Sequence, residues 1–508
     1  MASNNSYPPA LDDNLERDRL VEVIKDWSIA HGLAVWPAPA VIEEQKPRLA
    51  IHAPVTLFPS PFPKSCFEEA KSIQTTYNEL YAAIARDEEF LGGLVKEVAG
   101  NDEFIADLWD VHVRVKKEGY VQPLALGLFR SDYMVHQDSP TATPQIKQVE
   151  FNTIASSFGG LSAKTSDLHR FLSQTEYPLL KDPSAHSLDL PANNSVAGLA
   201  AGLQSAFHAY GKSSLGHPTC VIFLVQSPER NVFDQRHLEY QLAASGVPIF
   251  RLPFSQTLAR TEISAGSPAR QLLYRPEHNP QKVYEVAVVY MRCGYGPGDY
   301  PSKDAWEARY QIERSNAISC PTVLTQLAGM KKVQQVLATP PTHPSSSPVM
   351  RSFVSDDTKF DNLWKTFTNI YPMDTSEAGQ HARKLATDPE ACKKYVMKPQ
   401  REGGGNNFYR SAIPAHLKEI PEAQWSRYIL MELITPPPLN NIILRNGELE
   451  QGGVICELGV YGTCLWDRND GKIVHNAEAG YLLRTKGDQS EEGGVAAGYG
   501  CMDSVCFL

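Results

Sequence analysis

The most informative residues of this sequence form a glycine-rich segment, KPQREGGGNNFY, that begins at Lys398. Its three consecutive glycines, Gly403, Gly404 and Gly405, carry no side chain that would block close approach by a ligand. Their amide N–H groups can turn toward an anion, and Lys398 and Arg401 add positive charge. Glu402 adds a carboxylate of the kind that binds Mg²⁺. The segment therefore predicts a grip on a nucleoside triphosphate.

Short strands are expected on both sides of this segment. Residues 395–397 are apolar and end one predicted strand, while Phe408 and Tyr409 are predicted to form the returning strand. A flexible hairpin with a charged rim would share this outline and is the alternative interpretation. The sequence contains neither G-x-x-x-x-G-K-[ST] nor a G-x-G-x-x-G that follows a strand and opens a helix. Neither a P-loop nor a dinucleotide-binding fold is therefore indicated.

A possible metal site lies in the sequence QVEFNT, which begins at Gln148. In a strand, Glu150 and Asn152 project to the same side because side chains alternate. These two oxygen ligands, joined by Glu402, would make a Mg²⁺ site that also bridges phosphates. The alternative is a pair of exposed polar residues at a strand edge.

Polar loops follow three of the predicted strands. Their residues are Ile154, Ala155, Ser156 and Ser157 after the first, Glu229, Arg230, Asn231 and Gln235 after the second, and Arg292, Cys293, Gly294 and Tyr295 after the third. Ligands usually bind at the carboxyl ends of strands in open α/β sheets, and an arginine there can pair with a substrate carboxylate through two hydrogen bonds. Simple turns and surface loops are the alternative interpretation for each segment.

Two cations, Arg484 and Lys486, are predicted on one face of a strand near the carboxyl terminus. Like charges at this spacing repel, so an anionic ligand between them is the natural explanation. A second small-residue loop follows and includes Glu492, Val495 and Ala496. Two such loops around a cation pair suggest lids that close over a reaction needing protection from water. A poorly ordered terminal loop is the alternative.

Two further segments have weaker signals. Lys331 or Lys332 could reach a phosphate, but a solvated helix start is the favoured interpretation from these residues alone. The run Met431, Glu432, Leu433 and Ile434 resembles a hinge strand that holds an adenine between apolar side chains and offers backbone groups to its edge. Most apolar runs of this length are only core.

The length and composition are those of a multidomain globular protein. At 508 residues the chain is long enough for two or three domains. Its hydrophobic content of 42% and charged content of 21% are ordinary for a soluble protein. The formal charge of -10 argues against a general nucleic-acid binder, but not against ATP, which needs only a local cluster of cations.

The cysteines and the hydropathy indicate a cytoplasmic protein. The nine cysteines include no C-x-x-C pair, so neither a disulfide scaffold nor a zinc site is expected, and a reducing compartment fits. The amino terminus lacks the apolar core of a signal peptide. No apolar stretch is long enough to cross a membrane.

The elements that must position these residues follow from periodicity and turn signals. Helices are predicted over residues 12–35, 67–99, 195–210 and 234–244, and strands over 125–128, 148–152, 219–225, 248–251 and 286–290. A loop is expected over 182–194 and a mobile Pro/Ser-rich surface insertion over 339–355. The strand–helix–strand order within 218–325 predicts an α/β unit with a parallel sheet. We expect it to be a separate domain inserted between residues 1–217 and 326–508.

Taken together, these segments resemble the eukaryotic glutathione synthetases, a family within the ATP-grasp superfamily. The matching segments are RSDYM at Arg130, VEFNTIASSFGG at Val149, ERNVFDQR at Glu229, MRCGYGPGDY at Met291, QLAGMKKVQQ at Gln326, KPQREGGGNNFY at Lys398, ILMELI at Ile429, ELGVYG at Glu457, LLRTK at Leu482 and EEGGVAAG at Glu491. They occur in the expected order over most of the chain. Cys293 departs from the family pattern, because acidic side chains are more familiar at that position.

The resemblance implies a fold and a reaction. The fold would be α/β (α+β), an ATP-grasp fold with an inserted parallel-sheet substrate-binding domain over 218–325 and glycine-rich lid loops. Residues 1–217 would be the amino-terminal part of the ATP-grasp body, and residues 326–508 would carry the lid loops. The reaction would join γ-glutamylcysteine to glycine with ATP and Mg²⁺ through an acyl phosphate. Family members are typically homodimers, and the same is expected here.

The resemblance also implies a role for each matching residue. Mg²⁺ would be held by Glu150, Asn152 and Glu402. ATP would be held by Glu150, Lys331, Lys398, Glu402, Gly403, Gly404, Gly405, Asn406, Asn407, Tyr409, Met431, Glu432, Leu433, Ile434, Glu457, Lys486 and Glu492. The peptide substrates would meet Arg130, Ile154, Ala155, Ser156, Ser157, Glu229, Arg230, Asn231, Gln235, Arg292, Cys293, Gly294, Tyr295, Arg484, Val495 and Ala496. Arg130, Ser157, Gly403 and Arg484 would lie nearest the reacting groups.

Two alternatives to this function stay open at the level of sequence. A related ligase could use another acceptor amine such as β-alanine, since a single methylene gives only about 1–3 kcal/mol of discrimination. A catalytically silent nucleotide-binding sensor is the other alternative. The presence of all three proposed metal ligands and both small-residue loops favours an enzyme over the sensor.

Overall fold

The computed structural model describes residues 7–9, 11, 14–37, 49–100, 102–175, 188–340, 348–401, 406–490 and 500–507. Seven residues to which the sequence assigns roles lie outside this described part: Glu402, Gly403, Gly404, Gly405, Glu492, Val495 and Ala496. Their assignments stay predictions.

The helices are spread along the whole chain. They are α1 (Asn14–Ala30), α2 (Lys64–Arg86), α3 (Glu88–Ala99), α4 (Glu103–Glu118), α5 (Gly159–Gln174), α6 (Ser195–Tyr210), α7 (Val232–Ala244), α8 (Thr257–Arg260), α9 (Lys303–Arg314), α10 (Val323–Ala328), α11 (Lys331–Ala338), α12 (Asp357–Trp364), α13 (Glu377–Thr387) and α14 (Ala412–Glu419).

The strands fall in groups that belong to different sheets. They are β1 (Ala34–Val35), β2 (Ile51–His52), β3 (Val55–Thr56), β4 (Ser60–Pro61), β5 (Leu124–His136), β6 (Gln145–Asn152), β7 (Thr219–Val225), β8 (Ile249–Pro253), β9 (Thr261–Ile263), β10 (Leu272–Tyr274), β11 (Tyr284–Met291), β12 (Ile318–Cys320), β13 (Ile370–Pro372), β14 (Tyr395–Pro399), β15 (Phe408–Tyr409), β16 (Tyr428–Glu432), β17 (Leu439–Arg445), β18 (Glu448–Asp467), β19 (Ile473–Gly487), β20 (Cys501–Asp503) and β21 (Val505–Cys506).

A seven-stranded sheet, in the order β17-β3-β20-β19-β18-β5-β6, is the central layer. Its neighbouring strands are antiparallel except for the parallel pair β3 and β20. Because side chains alternate along β5, Phe129 packs on the side of α2 while Leu126 and Leu128 pack on the side of α6. Arg130 and Asp132 follow Leu128 at the same alternation, so they continue the α6 side of the sheet.

A six-stranded sheet is formed within residues 219–320. Strands β8, β7, β11 and β12 are parallel to one another, whereas β10 and β9 extend the sheet with antiparallel pairs. The predicted parallel arrangement of the strands at 219–225, 248–251 and 286–290 is confirmed, and the antiparallel strands are an addition that the sequence did not indicate. Helix α6 packs against both β11 of this sheet and β18 and β19 of the central sheet.

A four-stranded sheet, in the order β13-β16-β14-β15, forms a third layer that the sequence did not indicate as separate. It has a small core of its own, which includes Met373, Met397, Ile413 and Leu430. Strand β14 pairs antiparallel with β15, with Met397 opposite Phe408. The two strands predicted around the glycine-rich segment are thereby confirmed.

Two predicted helical segments differ from the structure, one at its end and one by a break in its middle. The helix predicted over 12–35 ends at Ala30, because the chain turns at Gly32, whose φ of +70° favours glycine, and continues into β1. The helical zone predicted over 67–99 is two helices, α2 and α3, that meet at Asp87. The Asp87 carboxylate accepts a hydrogen bond from the amide of Phe90 and so caps α3. In the described part of the chain, no helix is long and apolar enough to cross a membrane.

We expect two Gly→Ala substitutions in helices to change stability in opposite directions. Gly198 of α6 lies against the backbone of β19, where an added Cβ would come within 2.7 Å of the Ala479 Cα. Gly93 of α3 is exposed, and an added Cβ there meets nothing within 4 Å. Gly93→Ala should stabilise the protein by about 1 kcal/mol through helix propensity, whereas Gly198→Ala should destabilise it by about 1–3 kcal/mol through overpacking. Thermal unfolding midpoints would measure both, and a stabilising Gly198→Ala would contradict this packing.

Candidate active site

A cavity of about 780 Å³ lies where the three sheets meet. Of the predicted site residues that the structure describes, the following line this cavity: Arg130, Glu150, Asn152, Ile154, Ala155, Ser156, Ser157, Glu229, Arg230, Asn231, Gln235, Arg292, Tyr295, Lys331, Lys398, Asn406, Asn407, Tyr409, Met431, Glu432, Leu433, Ile434, Glu457, Arg484 and Lys486. Residues far apart in sequence are thus brought to one place, which is large enough for several small ligands.

Cys293 and Gly294 are the described residues of the predicted site that do not line the cavity. Cys293 is wholly buried in the apolar core. Gly294 has a φ of +79°, and an added Cβ would lie 2.9 Å from the Tyr300 hydroxyl. The turn at Gly294 is stabilised by its own amide, which donates to the Asp299 carboxylate at 2.8 Å. The Cys293 side chain is thus occupied by packing and Gly294 by turn formation, and the expected substrate contacts of these two residues stay predictions.

The edge of the central sheet presents Glu150 to the cavity. Lys331 Nζ lies 2.5 Å from the Glu150 Oε2, and Lys398 Nζ donates to the neighbouring Val149 carbonyl at 3.0 Å. Burial alone would raise the pKa of Glu150, but the charges of Lys331 and Lys398 hold it well below its ordinary value. Glu150 therefore stays ionised far into the acid range.

The structure contradicts the solvated helix start that the sequence favoured for Lys331 and Lys332. Both side chains are buried, because α11 begins beneath the four-stranded sheet. Lys332 turns away from the cavity, and its Nζ lies 2.9 Å from the Glu97 carboxylate. Its amide donates to the Gln400 side chain at 2.9 Å. Lys331 therefore lines the cavity, whereas Lys332 connects Gln400, which follows β14, to Glu97 of α3.

Asn152 is held so that one particular atom can act as a ligand. Its Nδ2 donates to the Arg130 carbonyl at 3.2 Å and to the Asp132 Oδ2 at 3.0 Å. The amide oxygen is therefore the atom left for a metal. No cluster of three or more His, Cys, Asp or Glu side chains that could hold a metal occurs among the described residues. Mg²⁺, however, is commonly held by one or two protein oxygens together with substrate phosphates, and Glu150 with Asn152 fits that pattern.

The loop after β6 is fixed by contacts from three other segments. Ala155 and Phe158 have positive φ angles of 50° and 75°, which non-glycine residues adopt only when their surroundings impose it. The Ser157 carbonyl accepts hydrogen bonds from the Arg130 Nη1 at 3.2 Å and from the Tyr461 hydroxyl at 2.7 Å. The Ser157 Oγ accepts from the Arg292 Nη2 at 2.8 Å. Ser157 is therefore held in place beside two arginines, which is more than the simple turn of the alternative interpretation would require.

Arg484 is partly neutralised by groups of the protein itself. It lies opposite Glu457 in the β18–β19 pairing, and the two side chains form an ion pair. Its Nη2 also lies 3.1 Å from the Asp132 carboxylate. Protein carboxylates thus supply part of the negative charge that the sequence assigned to a ligand.

The proposed adenine segment lies at the end of β16, at the rim of the cavity. The amides of Glu432 and Leu433 already donate to the carbonyls of Asn369 and Lys394, at 3.0 and 2.8 Å. An adenine edge would therefore have to be met by other backbone groups of this segment than these two amides.

Comparisons with known proteins agree with this arrangement. A family model described as "Eukaryotic glutathione synthase, ATP binding domain" matches residues 14–507. The "Glutathione synthetase large chain" of Schizosaccharomyces pombe is 39% identical over 504 residues, which cover 95% of this chain and 96% of the relative. The chain belongs to the eukaryotic glutathione synthetase family. Its mixed helix-and-sheet architecture is consistent with the ATP-grasp-type fold of that family.

Other relatives extend the similarity. The "Glutathione synthetase" of Homo sapiens is 36% identical over 506 residues and covers 99% of both chains. The "Glutathione synthetase, chloroplastic" of Solanum lycopersicum is 37% identical over 466 residues, or 90% of this chain and 78% of the relative. The solved apo structure of a "glutathione synthetase like-effector" from Globodera pallida has a TM-score of 0.72 at 21% identity and covers 98% of both chains. At that identity the likeness shows the fold alone.

Sequence reasoning missed Asp234, which organises the side of the cavity that Arg292 and Ser157 line. This carboxylate is fully buried and accepts hydrogen bonds from the amides of Phe158 and Gly160, at 2.8 and 2.7 Å. It also lies 3.2 Å from the Arg292 Nη2. Asp234 therefore caps α5 and holds Arg292 beside Ser157. Its position inside a helix of mixed composition gave no signal, because its partners are distant in sequence.

Asp234→Asn should destabilise the protein strongly. The side-chain NH₂ group of the asparagine would face either the backbone N–H groups at the start of α5 or the N–H groups of Arg292, and none of these can accept a hydrogen bond. Loss of one member of a buried ion pair costs about 3–5 kcal/mol. Asp138→Asn is the matched control, because that carboxylate is 84% exposed and forms its ion pair with His136 at the surface. The thermal unfolding midpoint should fall strongly for Asp234→Asn and hardly at all for Asp138→Asn. Equal midpoints for the two variants would contradict the role given to Asp234.

Proposed function

We propose that this chain catalyses the ATP-dependent ligation of γ-glutamylcysteine to glycine, giving glutathione, ADP and phosphate. The observation that carries the proposal is the distribution of charge in the cavity. Lys331 and Lys398 lie beside the proposed metal ligand Glu150, while Arg130 and Arg484 lie along the same sheet face. Cations on both sides of a metal ligand suit a reaction in which a phosphoryl group moves to a carboxylate.

The reaction would proceed in two steps. The cysteinyl carboxylate of the dipeptide attacks the γ-phosphorus of ATP, and the bond from that phosphorus to the bridging oxygen of ADP breaks. The glycine amine then attacks the carbonyl carbon of the acyl phosphate, an amide bond forms, and phosphate leaves with release of a proton. No protein nucleophile is required, so the protein contributes by positioning and by stabilising charge.

The cavity residues would divide this work between them. Lys331 and Lys398 would bind phosphate oxygens. Arg130 and Arg484 would hold the attacking carboxylate and the charge that develops on the acyl phosphate. Ser157, fixed between Arg130 and Arg292, would place the dipeptide against them. Gly403 would contribute its backbone amide above the phosphates.

The proposed metal is Mg²⁺, with Glu150 and Asn152 as ligands and Glu402 as the third. When bound, it would neutralise phosphate charge and lower the barrier to phosphoryl transfer. The fit rests on the ionised carboxylate of Glu150 and on the oriented amide oxygen of Asn152.

We also propose a homodimer in a reducing compartment such as the cytoplasm. All nine cysteines are free and buried, which suits reducing conditions. A chloroplastic relative makes a plastid the competing location, and fluorescence microscopy of the tagged protein would distinguish the two. Light scattering during gel filtration should give twice the chain mass of 56.3 kDa. A mass equal to that of one chain would contradict the dimer.

ADP release by the purified protein tests the function. With Mg-ATP and γ-glutamylcysteine, we expect release that depends on glycine and is matched by an equal amount of tripeptide. A chelator should abolish it and added Mg²⁺ should restore it. Release with β-alanine but not with glycine would keep the mechanism and change the product. Nucleotide binding without release for any acceptor would leave only a sensor.

Arg484→Ala should reduce turnover strongly and lower stability less than Asp234→Asn, because Asp132 keeps its two hydrogen bonds from Arg130. Loss of one cation that stabilises developing charge typically costs about 100–1,000-fold in kcat. Arg17→Ala on α1 is the control, because that side chain pairs with the exposed Asp18 on the same helix. Steady-state kinetics and thermal unfolding would be measured on both variants. An Arg484→Ala protein that unfolds early but has normal kinetics would make Arg484 a structural residue.

A further inference from the structure

We propose that Asp132 is a positioning residue that sets the spacing and direction of Arg130, Arg484 and Asn152. None of the sequence motifs assigned it a role. The inference rests on the proposed function, since it names the group through which these three side chains act together. The observations that carry it are the hydrogen bonds, burial and surroundings of one carboxylate.

Within the described part of the chain, the hydrogen bonds to the Asp132 side chain come from those three residues. Its Oδ1 accepts from the Arg130 Nε at 2.6 Å, and its Oδ2 accepts from the Arg130 Nη2 at 2.8 Å. The same Oδ2 accepts from the Asn152 Nδ2 at 3.0 Å and from the Arg484 Nη2 at 3.1 Å. One carboxylate therefore joins three strands of the central sheet, β5, β6 and β19, behind three side chains that line the cavity.

The bonds to Arg130 fix the plane of its guanidinium. The Nε–Nη2 edge is occupied by Asp132, and Nη1 donates to the Ser157 carbonyl at 3.2 Å. Such two-point pairing restricts a guanidinium more than a single contact does. The remaining N–H groups are thereby directed, and Arg130 lines the cavity where a ligand would meet them.

Burial makes this carboxylate indispensable to the cations around it. Asp132 is 0% exposed and Arg130 is 4% exposed. Although burial alone would lower the pKa of Arg130, the charge of Asp132 raises it above its ordinary value. Without that charge, two buried guanidinium groups would repel each other with little solvent screening. Asp132 therefore lets Arg130 and Arg484 approach each other. Because Glu457 also pairs with Arg484, the net positive charge for an anion comes from the wider set of lysines and arginines that line the cavity.

The facing strand makes room for the pair. Gly459 of β18 lies directly opposite Asp132 in the sheet. A Cβ at Gly459 would lie 2.7 Å from the Arg130 Cδ and 2.8 Å from the Asp132 Oδ1. The absence of a side chain at Gly459 is thus part of the same device, and it offers a second way to disturb the pair without changing its charge.

The first test compares Asp132→Asn with a matched buried carboxylate, Glu285→Gln. Glu285 is 2% exposed and accepts hydrogen bonds from Tyr210 and Ser213 at the start of β11, the end away from the cavity. An asparagine at 132 would direct an N–H₂ group at a donor in either orientation, so an arginine must turn away. We expect kcat to fall about a hundredfold for Asp132→Asn and about twofold at most for Glu285→Gln.

A double-mutant cycle with Arg130→Ala distinguishes positioning from a merely structural role. If Asp132 acts through Arg130, the loss in kcat caused by Asp132→Asn should be about tenfold smaller in the Arg130→Ala background. Additive losses would overturn the proposal. Gly459→Ala should also lower kcat, whereas Gly452→Ala on the same strand, where an added Cβ meets nothing within 4 Å, should not.

Equilibrium binding of tripolyphosphate, measured by calorimetry, tests the inference without any need for turnover. Charge alone predicts tighter binding by Asp132→Asn, because a negative charge is removed. Positioning predicts binding about tenfold weaker than for the wild-type protein or Glu285→Gln, because the two arginines no longer point together. Tighter binding would overturn the inference. A wild-type protein that binds tripolyphosphate but forms no tripeptide would contradict the proposed function. The difference in tripolyphosphate binding between the wild-type protein and Asp132→Asn would still decide the role of Asp132.

Discussion

Mutual repulsion among buried cations is the constraint on which the cavity depends. Arg130 and Arg484 lie on one face of the central sheet, and both are drawn toward Asp132. Lys331 approaches from α11 and is drawn toward Glu150. Cations this close in a poorly solvated place can stay together only if carboxylates separate them. Lysine and arginine side chains outnumber carboxylates among the residues that line the cavity, and an anionic ligand would use that excess of positive charge.

The three sheets contribute different parts of this arrangement. The central sheet carries the charges, because alternation places the side chains of β5, β18 and β19 on a common face. The six-stranded sheet ends beside it and supplies Arg292, which Asp234 holds against Ser157. The four-stranded sheet contributes Lys398 of β14 and Tyr409 of β15. The site is therefore a meeting of sheet edges, which explains why its residues are scattered over the whole sequence.

Sequence alone predicted what depends on local pattern. The hairpin around Lys398, the buried strand at 219–225 and the alternation of Glu150 with Asn152 were all readable, because each is set by neighbouring residues. Asp132 and Asp234 were not, since their roles come from strand register and helix packing between distant segments. The prediction of a solvated Lys332 was wrong for the same reason, because its burial comes from the packing of α11 against β13 and β16, which are distant in sequence. The position of Cys293 just after a strand was predicted correctly, but its side chain packs in the apolar core and does not line the cavity.

Transfer of an oxygen atom tests the proposed chemistry most directly. An acyl phosphate forms only if the dipeptide carboxylate is phosphorylated before the amine attacks it. With γ-glutamylcysteine labelled with ¹⁸O in the cysteinyl carboxylate, one labelled oxygen should appear in the inorganic phosphate, as measured by mass spectrometry. Phosphate without label, alongside normal formation of the tripeptide, would contradict the acyl phosphate and with it the roles given to the arginines.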